Sequence, residues 1–188
     1  YFLAQKGVIP VEDLERYCGE NEHEYIGLVE PRGKFGLRAA GGSMGFGLPF
    51  AVGFALEKKL RGKPGKVYCL MSDGELAIGT TWEAALLAVQ LKLDNLVVIV
   101  DVNGLQAMGK TEDILGSHFP DVGWANLWVN GHNFAELEKA FAEKHSSPFV
   151  IKAATIKGKG VSFMENANLY HYKNLTSEEY EGAKKELS

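Results

Sequence analysis

The chain has 188 residues, 46% of them hydrophobic, and a formal net charge of −4. That length fits one domain with ample core, and the acidic balance excludes a basic surface for nucleic acid or anionic membrane. The two cysteines, Cys18 and Cys69, exclude a disulfide scaffold or a Cys-rich metal site, no apolar stretch reaches membrane-spanning length, and a reducing, cytoplasmic setting is expected.

In chain order, residues 11–18 (VEDLERYC) after Pro10 predict a short helix, and the polar stretch 20–38 reads as loop. Residues 48–60 (LPFAVGFALEKKL) repeat apolar side chains at helical spacing and stop at Arg61-Gly62. Residues 67–71 (VYCLM) have strand length, and Thr80-x-x-Glu83 has the form of a capping box opening a helix to about Lys92. Residues 96–100 (LVVIV) read as a second buried strand. Asn133 then caps an amphipathic helix (FAELEKAFAEK), a strand follows at 149–156, and Thr176-x-x-Glu179 opens a C-terminal helix. Strands apolar throughout that alternate with helices predict an α/β fold, a parallel sheet with helices on both faces. Ligands of such sheets bind beyond the carboxyl ends of the strands. The segments of interest are therefore 72–74, 101–106 and 157–160.

In MSDGELAIGTTWE (71–83) an acid ends a hydrophobic run, and Asn103 leaves the next strand one helix later. Neighbouring strand ends lie about 5 Å apart, so the two side chains can converge. A carboxylate and an amide oxygen are hard ligands that suit Mg²⁺ or Ca²⁺, and Mg²⁺ commonly completes its shell with phosphate oxygens. Gly74 and Gly104 permit close backbone approach to a bulky anion. Taken singly, Asp73 also fits a helix cap and Asn103-Gly104 a turn.

Together the segments resemble a known family. SDGE, a helix, then DNLVVIVDVNGLQ resembles the thiamine diphosphate signature of an Asp-Gly followed by Asn. Upstream GGSMGFGLPFAVGFAL and downstream KGKGVSFMEN…YHY resemble the matching segments of transketolases, in the same order. The resemblance is to the separate N-terminal, diphosphate-binding subunits of split transketolases, and it implies their fold. It also implies that Asp73, the Asn103 side chain and the Leu105 carbonyl bind Mg²⁺ or Ca²⁺. Gly74 and Glu75 would flank the diphosphate, and Gly42, Ser43 and Met44 would hold the aminopyrimidine ring. Lys157 matches the family's diphosphate lysine, and His171 a histidine at the diphosphate and reacting centre. Alone, His171 reads as a surface histidine of a tail. The family's proton-relay glutamate lies on a pyrimidine-binding domain, so a C-terminal partner subunit in an α2β2 assembly is implied.

Four departures matter. Ser72 replaces a glycine, Ile78 stands where members carry a second glutamate, and Phe46 occupies a Gln or His position. Glu30 or Val29 of VEPRG takes the place of a histidine that contacts substrate hydroxyls, which makes Glu30 a candidate substrate-site residue. The resemblance implies that the chain starts in mid-domain of the family, so that 1–188 is expected to be a single diphosphate-binding domain without the family's first part. The expected activity is transfer of a two-carbon ketol unit between sugar-type substrates; LYHYKN resembles the ending of specialised subunits. A catalytically silent subunit with a structural or regulatory role is the alternative. A nucleotide-binding module is disfavoured, because no strand precedes a G-x-G-x-x-G and there is no Walker lysine.

Overall fold

A computed structural model describes residues 2–16, 31, 36, 39–107, 109–111 and 119–188. The chain divides into two compact units, Tyr1–Ser43 and Met44–Ser188. In the first, α1 (Phe2–Gln5) is followed by a 3-10 helix, Val11–Arg16. The helix expected over 11–18 is thus the tighter kind, with Asp13 N–H donating to Pro10 O three residues back. Cys18, Val29, Glu30 and most of 20–38 lie outside the described residues.

The second unit is built on a four-stranded parallel sheet in the order β1 (Val67–Ser72), β2 (Leu96–Val102), β6 (Phe149–Ala154), β5 (Ala125–Asn130). Helix α2 (Gly47–Leu60) precedes β1, α3 (Gly79–Gln90) joins β1 to β2, and α4 (Phe134–Ala142) joins β5 to β6. A short hairpin, β3 (Leu105–Gln106) with β4 (Gly109–Lys110), leaves the end of β2. Helix α5 (Ser177–Glu186) closes the chain behind the capping box of Thr176 and Glu179.

Alternate side chains of β2 serve opposite faces, as the period of a strand requires. Val98 and Val100 pack with Leu48 and Ala55 of α2 and Ala85 and Ala88 of α3. Val97 packs on the other side with Ile151, Phe149 and Ala140 of α4. Helices therefore cover both faces, and each fully buried Val or Leu contributes about 1.5–3 kcal/mol. The alanines let α3 lie close, and Ala85 O accepts the indole N–H of Trp124 at 3.0 Å.

Two expectations are corrected. Thr80 does not cap α3; Ile78 occupies the N-cap without a side-chain bond, and Thr80 Oγ1 donates instead to Gly45 O at 3.2 Å. The capping box belongs to Ser72 and Glu75, on the 3-10 helix Asp73–Ala77. The strand expected over 149–156 ends at Ala154; Thr155 N–H makes the last ladder bond, to Val102 O, and Ile156 N–H leaves the sheet for His132 Nε2.

Candidate functional site

Register sets the site. Ser72 lies beside Asp101 and Val102 beside Ala154, so Asp73, Asn103 and Thr155 leave the sheet together at its carboxyl edge. Asp73 is 2% exposed. Its Oδ2 accepts Gly104 N–H at 2.7 Å and Thr111 Oγ1 at 3.2 Å, while its Oδ1 is buried without a partner. Burial pushes the Asp73 carboxyl above the ordinary carboxylate value; the Gly104 and Thr111 donors pull it down, and nearby Asp101 pushes it up again. A buried carboxylate oxygen with no donor is costly unless a cation meets it.

The hairpin supplies more oxygen. Asn103 Oδ1 accepts Leu105 N–H at 3.0 Å, and Thr111 N–H donates to Gly104 O at 3.0 Å. Ladder bonds alternate along an antiparallel pair, so the carbonyl of Leu105, paired with Lys110, faces away from β4. A Cβ on Gly74 would lie 3.3 Å from Gln106 Cβ and 3.5 Å from Met44 Cε, which marks Gly74 as a tight seat between the hairpin and Met44. Among the described residues there is no cluster of three or more His, Cys, Asp or Glu. A cation here would rely on Asp73, an amide oxygen and a carbonyl, a set that fits a hard divalent ion.

Both oxygens of Glu75 are engaged by backbone: Oε1 accepts Ser72 N–H at 3.1 Å and Oε2 accepts Gly45 N–H at 3.0 Å. Gly45 has φ of +81°, and a Cβ there would lie 2.4 Å from Ile78 Cγ2, so Ile78 fills the space behind it. Met44 is half exposed. Gly42 and Ser43 fall in the first unit, Gly42 with φ of +107°.

Lys157 is half-buried in the turn after β6, and no carboxylate among the described residues pairs with it. Thr155 Oγ1 donates to Asp101, Ile156 N–H to His132 Nε2 at 2.8 Å, and Gly160 N–H to Glu165 at 3.0 Å. His171 is exposed on the 3-10 turn Asn168–His171, its ring edge-on to Tyr172, and that turn packs against β3. The carboxyl edge thus gathers Met44, Asp73, Gly74, Glu75, Asn103, Leu105 and Lys157. Asp101, inside the 101–106 segment of interest, joins it, as do Thr111 and His132, which no sequence segment singled out. Asp101 alone carried a signal, an acid ending an apolar strand like Asp73.

The family described as transketolase, thiamine diphosphate binding domain, matches residues 8–188. The chain belongs to the transketolase family. It is 37% identical to an apulose-4-phosphate transketolase subunit of Actinobacillus succinogenes, over 98% of this chain and 69% of that protein. It is 33% identical to the 6-deoxy-6-sulfo-D-fructose transketolase subunit SqwG of a Clostridium species, over 98% of this chain and 70% of the relative. The transketolase structure of Campylobacter jejuni superposes with a TM-score of 0.83 at 32% identity, over 93% of this chain and 29% of that one. The chain thus spans about two thirds of these subunit relatives and under a third of that transketolase chain. No helix among the described residues is long and apolar enough to cross a membrane.

Proposed function

We propose that this chain is the diphosphate-binding half of a thiamine diphosphate- and Mg²⁺-dependent transketolase-type transferase of the cytoplasm. It moves a two-carbon ketol unit between sugar-type substrates and works with a pyrimidine-binding partner subunit in an α2β2 assembly. The observation that carries this reading is the buried, unpartnered Oδ1 of Asp73 at the strand ends of a thiamine diphosphate-binding domain. Thiamine diphosphate, when bound, supplies the electron sink for breaking a carbon–carbon bond beside a carbonyl.

The chain's own residues hold and orient. Asp73, Asn103 Oδ1 and the Leu105 carbonyl take the cation, Mg²⁺ or Ca²⁺. Gly74 gives the diphosphate a backbone N–H at close range, and Lys157 offsets its charge. Glu75 acts through Gly45 and Ser72 and so sets the backbone beside Met44, which receives the aminopyrimidine. His171 supplies a hydrogen bond at the reacting end. Retention of Asp73, Asn103 and Lys157 together favours an active subunit over a silent one.

The named relatives act on sugars bearing a phosphate or a sulfonate. Glu30 would repel such a group by roughly 1–4 kcal/mol at 4 Å. If Glu30 lines the site, Glu30→His raises activity towards phosphorylated acceptors in the reconstituted enzyme. Unchanged acceptor preference would remove Glu30 from the site.

Calorimetric titration with thiamine diphosphate and Mg²⁺ tests the metal assignment. Asp73→Ala should lose cation-dependent cofactor binding while circular dichroism stays that of the parent. Equal affinity in the two proteins would refute it.

A further inference from the structure

The turn that carries Lys157 is seated by side chains from three different segments. Thr155 is tied through its hydroxyl to Asp101 at the end of β2. Gly160 N–H is held by Glu165, which also pairs with Lys159 at 3.6 Å. Between them, Ile156 N–H donates to His132 Nε2 at 2.8 Å, one residue ahead of Lys157. His132 stands on the turn after β5, whose Asn130 lies beside Ala154 in the sheet. Asn130 Oδ1 accepts His132 N–H at 2.9 Å and fixes that turn. Gly131 lets the two turns touch, since a Cβ there would lie 2.5 Å from Thr155 Cγ2.

Of the three acceptors, histidine is the residue type whose charge changes near neutral pH. To accept from Ile156, Nε2 must be bare, so the ring is neutral with its proton on Nδ1. An imidazolium has no lone pair and would set an N–H against an N–H. We propose that His132 is a positioning residue for the diphosphate end of the site: the neutral imidazole holds Ile156, and with it Lys157, and protonation releases that hold. The inference rests on the reading that Lys157 meets the diphosphate. The charged group facing the ring is Glu165, with Lys159 paired to it. Glu136 of α4 is occupied by Asn130 N–H and Asn133 Nδ2.

The test is calorimetric affinity for thiamine diphosphate with Mg²⁺, and for inorganic pyrophosphate with Mg²⁺, on the full-length protein with its partner subunit between pH 5.5 and 8.5. His132→Ala should bind both about tenfold more weakly at pH 8, the loss of one aligned hydrogen bond. His132→Gln places an amide oxygen near the position of Nε2 and does not titrate. It should match the parent at pH 8 and lack the part of the acid-side weakening that the parent shows. Parental affinity of His132→Ala at every pH, or a parental pH profile in His132→Gln, overturns the proposal. Lys157→Met separates the two levels. If it binds pyrophosphate as tightly as the parent, the diphosphate reading fails and the proposal with it. If it binds weakly while both His132 variants behave as the parent, only the proposal fails.

Discussion

Asp73 carries an imbalance that can be measured without any enzyme assay. Two donors hold its Oδ2 and none holds its Oδ1, in a residue 2% exposed. Its carboxyl is raised above 3.8, chiefly by burial. Between 3.8 and that raised value the folded chain keeps a proton that the unfolded chain has lost. Stability of the metal-free protein therefore falls as pH rises through that window, and the deficit is fully present above it. Asp73→Asn removes the charge and should stabilise the metal-free protein by about 1–3 kcal/mol at neutral pH. Differential scanning calorimetry should show its Tm raised and insensitive to Mg²⁺ with thiamine diphosphate, whereas the parent's Tm climbs with both. A lower metal-free Tm in the variant would mean the orphan oxygen is not a strain on the fold. Asp73 and Asn103 were legible in the sequence because a polar residue ending an apolar strand is a local anomaly. Thr111, 38 residues from Asp73, and His132, 24 from Ile156, were not, because only the sheet register and the hairpin bring them near.

Among the elements, the 3-10 helix Asp73–Ala77 is the joint between the strand edge and the glycine loop. Glu75 ties Ser72 N–H and Gly45 N–H to one carboxylate, and Thr81 Oγ1 closes on Glu75 O at 2.9 Å. Glu75→Ala should cost about 1–3 kcal/mol by leaving two part-buried donors unmet. It should also weaken thiamine diphosphate more than inorganic pyrophosphate, because the glycine loop and not the phosphate seat is loosened. Equal loss for both ligands would place Glu75 on the phosphate instead. The same joint accounts for the misplaced cap. Both Thr80-x-x-Glu83 and Ser72-x-x-Glu75 fit a capping box, and the choice was made by Gly45, whose carbonyl claims Thr80. Strands β1, β2 and β6 were plain because they are apolar on consecutive positions. Strand β5 was missed: at the sheet edge, Leu127 and Trp128 are exposed and its run reads ANLWVN. The two-residue strands β3 and β4 are too short to leave a periodic signal.

At the scale of the molecule, α2 presents apolar side chains that its own unit does not cover. Phe46, Phe50 and Phe54 recur every fourth residue, on one side of the helix, and are 53%, 48% and 49% exposed. Met44, 48% exposed, extends the same apolar surface to the glycine loop. Contiguous exposed aromatics of this kind mark surfaces that another chain buries. The stripe starts beside Gly45, so a partner seated on it also walls the edge of the site where the aminopyrimidine would lie. On the proposed half-enzyme reading, the chain alone should show no ketol transfer. Phe50→Glu adds a charge at the middle of the stripe while leaving the buried face of α2, with Leu48, Ala51 and Ala55, intact. Its stability in isolation should stay within about 0.5 kcal/mol of the parent's, as surface changes do. Mixed with the pyrimidine-binding subunit, the parent should sediment as a larger assembly and gain activity, while Phe50→Glu should remain unassociated and inactive. Ketol transfer by the purified chain alone would overturn the half-enzyme reading. Normal assembly of the Phe50→Glu variant would leave that reading standing and move the interface off α2.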